Sequence, residues 1–149
     1  MKQKEHIGKV TSQKTVTIEE SIIQQFVDAL GIEDPLSTDP AAAKAANLSG
    51  LLLPHAAASN LGEYDSVISL LELKPKQVLH SKQRISVFRP ICSGDTLNVT
   101  TVLGDLYEQQ VSGNPMGFAI INVIGTTPKD AVAFESQRVV AVRGGFPRR

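Results

Sequence analysis

Apolar residues change their spacing once along this chain, near residue 75. Upstream they recur every three or four positions, the period of a helix; downstream they alternate, the period of a strand. Ile22, Ile23, Phe26, Val27 and Leu30 make a helical stripe. A helix is therefore predicted between Thr17 and Gly31. Thr17 suits the N-cap, with Glu20 three positions on completing a capping box, and Gly31 suits the C-terminal cap. Just before it, residues 11–17 are rich in β-branched side chains and predict a short first strand. Residues 32–52 read as a loop-rich insertion. Within it, Asp39 as cap and Pro40 in the first turn open a short helix that runs to Ala46. A longer helix is predicted from Leu53-Pro54 toward Leu73, with Leu61, Val67, Ile68 and Leu71 on its apolar face. The small Ala56, Ala57 and Ala58 would let a sheet approach closely. At 1.5 Å per residue such a helix reaches ~30 Å. Gly62 is its weak point, where a bend is expected.

Four strands are predicted after Pro75, over residues 78–89, 96–107, 117–126 and 132–142. Leu97, Val99 and Leu103 share one face of the second, and the third is apolar on both faces, as a central strand should be. Turn residues separate the last strands at 93–95, 112–115 and 128–130. Short turns between successive strands imply an antiparallel meander. The predicted class is α+β: one curved sheet wrapped around a long central helix.

Composition narrows the function classes. The 149 residues and 16.0 kDa suit a single domain, expected to be ordered over about residues 8–144. Lys plus Arg is 15 and Asp plus Glu is 15, so the positive field that nucleic-acid binding requires is absent. A single cysteine, Cys92, rules out an internal disulfide and paired-cysteine zinc, and is read as a small buried apolar group. His6, His55 and His80 have no metal-ligand spacing, and neither a metal nor another cofactor is expected. No apolar run approaches the ~20 residues of a membrane span. No export signal is read at the N-terminus, so a cytoplasmic location is expected.

The early strand, central helix and antiparallel meander together resemble the hot dog fold. The stretch Phe88-Arg89-Pro90-Ile91-Cys92-Ser93-Gly94-Asp95-Thr96-Leu97 resembles the F-x-x-P-I-x-x-G-D-x-L signature of MaoC-like hydratases and dehydratases. Gly50-Leu51-Leu52-Leu53-Pro54 resembles their glycine-led approach to the central helix. The order of elements is similar to the substrate-binding, non-catalytic subunit of heterodimeric (3R)-hydroxyacyl-ACP dehydratases. This resemblance implies an acyl thioester of coenzyme A or acyl carrier protein as the ligand. It implies water addition to, or loss from, a trans-2-enoyl or (3R)-hydroxyacyl group, without a cofactor. In active relatives an Asp and a His of a D-x-N-P-x-H motif activate the water, and N–H groups at the start of the central helix hold the thioester oxyanion.

The stretch that matches that motif is Ile32-Glu33-Asp34-Pro35-Leu36-Ser37. Ile32 stands in place of the aspartate and Ser37 in place of the histidine. Neither side chain can take a proton from water near pH 7. Two readings follow. In one, the chain is a partner subunit that shapes the acyl tunnel beside a catalytic hot dog chain. In the other, the site is rebuilt around His55 at the start of the central helix, with Asp34 or Asp39 approaching from the loop. Gly50, Leu53 and Ser37 are then candidate substrate-binding positions. Arg84 and Arg89, with Lys82, read as a basic cluster on one strand, either a solvated edge or a contact for the carrier's phosphates. His80 reads as a solvated strand residue, and His6 and Arg148 as parts of loose ends. A non-catalytic acyl-binding module is the alternative from a different class. A hot dog thioesterase with its carboxylate on the central helix, Glu63 or Asp65, ranks last. The resemblance also implies a homodimer or heterodimer with another hot dog chain.

Overall fold

The computed structural model describes residues 2–148. Five antiparallel strands form one sheet: β1 (Val10–Thr17), β2 (Val78–Val87), β3 (Thr96–Val111), β4 (Asn114–Thr126) and β5 (Val132–Arg143). Their spatial order is β1-β3-β4-β5-β2, with β4 central as its two apolar faces require. β3, β4 and β5 make the predicted meander. β2 does not join it through the 93–95 turn, however: it pairs with β5 at the opposite edge from β1. Turn residues report that the chain reverses, not which strand it reverses toward. Residues 88–95, the signature segment, are thus the crossover that carries the chain from the β2 edge to β3.

Leu97, Val99 and Leu103 all point into the core, as their spacing predicts. A register shift between Leu103 and Asp105 then brings Leu106 to the same side. The helical layer covers this inner face. α1 (Glu20–Leu30) buries Ile23 and Val27, and Gly31 closes it with φ 63° while its N–H bonds the Val27 carbonyl. The start of α1 differs from the capping-box expectation. Thr17 ends β1, where its hydroxyl meets that of Thr96, and Glu19 holds the N-cap position without a side-chain bond. Cross-strand pairing with β3 has claimed Thr17 first. α2 (Pro35–Thr38) and α3 (Pro40–Ala45) follow, capped by the carboxylates of Asp34 and Asp39, each with its proline in the first turn.

The long central helix is not continuous. It is a 3-10 helix over His55–Leu61, a break, and α4 (Asp65–Leu70). Gly62 leaves helical geometry with ψ 161°, and a side chain there would strike Val123 on β4 and the Tyr64 ring. The buried Thr101 hydroxyl of β3 accepts the Glu63 N–H at 3.2 Å, giving that freed donor a partner in the sheet. Glu63 then caps α4, its carboxylate accepting the Ser66 N–H. Tertiary bonds thus replace the helical ladder where glycine has weakened it. The core divides accordingly. Ile23, Leu53, Ala58, Val99 and Phe134 pack in one cluster, and Val67, Leu71, Leu103, Ile121 and Val142 in the other, beneath α4.

Described residues near both ends of the chain make packing contacts. Residues Lys2–His6 form a 3-10 helix, and buried Gln3 donates to the Pro147 carbonyl. Phe146 is buried in the second cluster, its N–H bonds Glu108, and Arg148 pairs with the same carboxylate. Among the described residues no helix is long and apolar enough to cross a membrane.

Hydrogen bonds from Ser66 hold the Glu63 carboxyl below its ordinary value of 4.5, against a smaller opposing effect of burial. A depressed carboxyl stabilises the fold above its unfolded pKa, and that contribution disappears as pH falls through the folded value. Glu63→Ala should therefore cost about 0.5–1 kcal/mol at neutral pH. The gap to the parent should narrow below pH 4.5, as measured by urea unfolding at pH 7 and at acid pH.

Candidate functional site

The mouth of the central helix is built by two segments remote in sequence. Residues 51–53 run antiparallel to residues 91–93. The Leu53 N–H bonds the Ile91 carbonyl at 2.7 Å, and the Ser93 N–H bonds the Leu51 carbonyl at 2.9 Å. Leu52 and Cys92 form the bridge between them. Gly50 lies so close to Ser93 that any side chain there would collide with its backbone, and the Ser93 hydroxyl accepts the Leu51 N–H. This is the physical reason for glycine at the approach to the helix.

The signature turn closes the strap. Gly94 adopts φ +88°, a region open to glycine at no steric cost. Its N–H bonds the Ile18 carbonyl, and the Ile18 N–H returns a bond to Asp95. The Asp95 carboxylate accepts the Cys92 N–H at 2.8 Å and the Ser49 hydroxyl at 3.2 Å. One acidic side chain thereby joins the crossover to the segment leading into the helix. Cys92 is buried here, as its apolar reading predicts.

The positions implied for the dyad serve the scaffold. Ile32 packs against the first core cluster. Ser37 is buried, and its hydroxyl donates to the Leu52 carbonyl at 2.7 Å, while the Leu52 N–H bonds the Leu36 carbonyl. Ser37 thus pins α2 to the strap. His55 is the first residue of the 3-10 helix and is exposed. Asp34 and Asp39 are also exposed, each occupied by a cap bond to the N–H two positions on, those of Leu36 and Ala41. Among the described residues no hydrogen bond or ion pair joins either carboxylate to His55.

The basic cluster divides. Arg89 lies beyond the end of β2 and borders a cavity of about 630 Å³ whose apolar wall is Leu48, Ile91, Leu97 and Ala133, with Asp95 on its polar side. Arg84 stays within β2, bonds Gln137 and borders a separate hollow of about 260 Å³ on the strands. The larger volume lies in the range of small-molecule sites. Gly50, Leu53, Ser37 and His55 do not line it.

A polar cluster that spacing did not single out lies between the 3-10 helix and the sheet. The Arg138 guanidinium lies 3.7 Å over the Tyr64 ring, and bonds Gln83 and Asn60. Gln83 donates to the Ser59 hydroxyl, and Tyr64 to the Ser59 carbonyl. Burial pushes the Tyr64 hydroxyl above its ordinary value, with Arg138 and Ser136 pulling the other way. The available signal was parity: Arg138 falls in step with Phe134 and Val140 on β5, and Gln83, its register partner, in step with Ile85 on β2.

Removing the Asp95 carboxylate orphans a buried N–H at Cys92 and frees Ser49. Asp95→Ala should cost about 2 kcal/mol. For a chain of this size the Tm should fall by roughly 5 °C, read by calorimetry, with Asp95→Asn intermediate.

Comparison with known proteins agrees with this geometry. Residues 5–135 match the family model described as FAS1-like, dehydratase domain region. A UPF0336 protein of Thermobifida fusca is 30% identical over 129 residues, 84% of this chain and 82% of its own. Two solved structures share the fold at low identity. The C-terminally truncated HadBC (3R-hydroxyacyl-ACP dehydratase) complex of Mycobacterium tuberculosis aligns with a TM-score of 0.77 and 14% identity, over 91% of this chain and 96% of that one. The ChsH1-ChsH2 complex of the same organism aligns with a TM-score of 0.73 and 18% identity, over 99% of this chain and 90% of that one. The sheet curled on a broken central helix is the hot dog fold, and the chain belongs to the FAS1-like dehydratase-region family.

Proposed function

We propose that this chain is the substrate-binding half of a two-chain (3R)-hydroxyacyl dehydratase or trans-2-enoyl hydratase, with a second hot dog chain supplying the acid–base pair. One observation carries the reading. Where the family's motif puts its two proton-handling groups, this chain has a partly buried isoleucine packed against the core and a buried serine whose hydroxyl is committed to the Leu52 carbonyl. A catalytic base must reach the water it activates with a free lone pair and a pKa near the working pH, and neither position offers that. The hot dog complexes HadBC and ChsH1-ChsH2 support a paired arrangement by analogy of fold.

In this reading the strap at 51–53 and 91–93 holds the mouth of the helix in shape. Gly50 stands at the approach of the thioester, buried Leu53 supports it from the core, and Ser37 acts through the Leu52 carbonyl. His55, exposed at the mouth, contacts the thioester without supplying the base. Asp34 and Asp39 keep the α2 and α3 turns in place. Arg89, at the border of the large cavity, meets the phosphates of coenzyme A or of a carrier's prosthetic arm.

The test uses crotonyl-CoA. The chain alone should leave the enoyl absorbance unchanged, and the chain mixed with a catalytic hot dog partner should remove it. In the pair, His55→Ala should lower kcat/KM by no more than about tenfold, whereas loss of a general base costs ~10²–10⁴-fold. Arg89→Ala should raise KM with kcat unchanged, the mark of uniform binding. Turnover by the chain alone, abolished in His55→Ala, would refute the reading. Tight acyl-CoA binding without turnover in any pairing would instead make the chain a binding module.

A further inference from the structure

The face of the sheet turned away from the helical layer is patterned. Ala119, Ile121 and Val123 of β4 are buried in the core, so Phe118, Ile120 and Asn122 between them stand on the outer face. Register extends each of these into a row across four strands. The middle row is Asp105 on β3, Ile120, Val139 on β5 and Lys82 on β2. To one side of it lies the row Tyr107, Phe118, Ala141 and Leu79, and to the other the row Val102, Asn122, Gln137 and Arg84. The Tyr107 and Phe118 rings stack at 4.9 Å, and Tyr107 and Leu79 are both exposed. The centre of the face is thus apolar and its charge sits at the flanks, the layout of an interface. The two ends of the middle row carry opposite charges. Neither Asp105 nor Lys82 is in an ion pair among the described residues. They cannot meet within one chain, because three strand spacings of ~4.8 Å separate them.

Each row is complementary to itself read backwards. Sheets stacked face to face run with their strands roughly aligned, ~10 Å apart. A two-fold axis parallel to the strands, between β4 and β5, lays the β3 end of each row over the β2 end of the same row in the other copy. Asp105 then meets Lys82, Ile120 meets Val139, and the large Phe118 meets the small Ala141. Tyr107 covers Leu79. Arg84 faces Val102, and Glu135 faces Ile124, so no like charges are opposed. An axis laid across the strands would instead set Lys82 and Arg84 over the same strand of the other copy, which is repulsive. We propose that this outer face is the packing surface for a second copy of this chain, the two sheets joined back to back about the first axis by two Asp105–Lys82 pairs around a centre of Ile120, Val139, Phe118 and Ala141. The surface lies behind the sheet from the mouth of the central helix, so the inference does not rest on the chemistry proposed above.

Charge exchange tests it by sedimentation of the full chain in the micromolar range. The parent should dimerise at low salt and loosen as salt is raised. Asp105→Lys alone and Lys82→Asp alone should each weaken the dimer at least about tenfold, because each opposes like charges twice. The combined Asp105→Lys/Lys82→Asp variant restores both pairs with their signs exchanged, and should return to within about threefold of the parent. Association through a strand edge would ignore Asp105, which lies on an interior strand, and the exchange would rescue nothing. Ile120→Glu keeps every native charge and should abolish the dimer, which keeps the test decisive if a charge variant does not fold, as read by circular dichroism. A parent that is monomeric throughout the micromolar range would overturn the proposal. So would a dimer indifferent to Asp105→Lys or Ile120→Glu, or a combined variant no tighter than the single ones. None of these outcomes depends on turnover of crotonyl-CoA, so the failure of either proposal leaves the other standing.

Discussion

The antiparallel strap between residues 51–53 and 91–93, closed by the Asp95 carboxylate, is the constraint on which the mouth of the central helix depends. It joins two backbone segments about forty positions apart and satisfies their polar groups away from solvent, where unpaired N–H and C=O groups are costly. Leu51, Leu53, Ile91 and Cys92 are all nearly fully buried. Their backbone bonds therefore have no water to fall back on. Ser37, Ser49, Ser93 and Asp95 are the side chains that complete the hydrogen bonding. The family signature is, in physical terms, mostly a description of this joint.

That constraint also assigns structural work to Ile32 and Ser37. The position held by Ser37 is needed to anchor α2 to the Leu52 carbonyl, and a hydroxyl does that well. Ile32 adds apolar contact to the same core. A fold hosts a site but does not oblige it.

Deeper under the sheet, the break at Gly62 and the cluster around Arg138 are two parts of one arrangement. The helix gives up its ladder where Thr101 offers a substitute acceptor. The Tyr64 side chain that follows the break turns back to Ser59. Arg138 and Gln83 then hold the last turn of the 3-10 helix through Asn60 and Ser59. The half-buried guanidinium is met by neutral oxygens and an aromatic face rather than by a carboxylate, an environment that suits its delocalised charge. The 3-10 helix is consequently tied at its last turn to β2 and β5.

Local chemistry alone determined a good part of this. Gly31 as a cap, Asp39-Pro40 as a helix start, the inward set Leu97, Val99 and Leu103, and the central place of β4 follow from periodicity and from φ/ψ preferences. These are properties of a few adjacent residues. The signature around Gly94 and Asp95 carried the fold family for the same reason. Only the tertiary structure decided the rest. Thr17 could cap a helix or pair with Thr96, and the strand won. Residues 53–73 could form one helix, and at Gly62 the chain left it for a bond to Thr101, far along the sequence on β3. Asp34 and Asp39 could approach His55, and cap bonds took them. Arg84 and Arg89 could share a patch, and the end of β2 parted them. In each case a polar group had more than one partner within its chemical reach. Spacing along the chain ranks those partners only when they are neighbours in sequence; burial and register rank them when they are not.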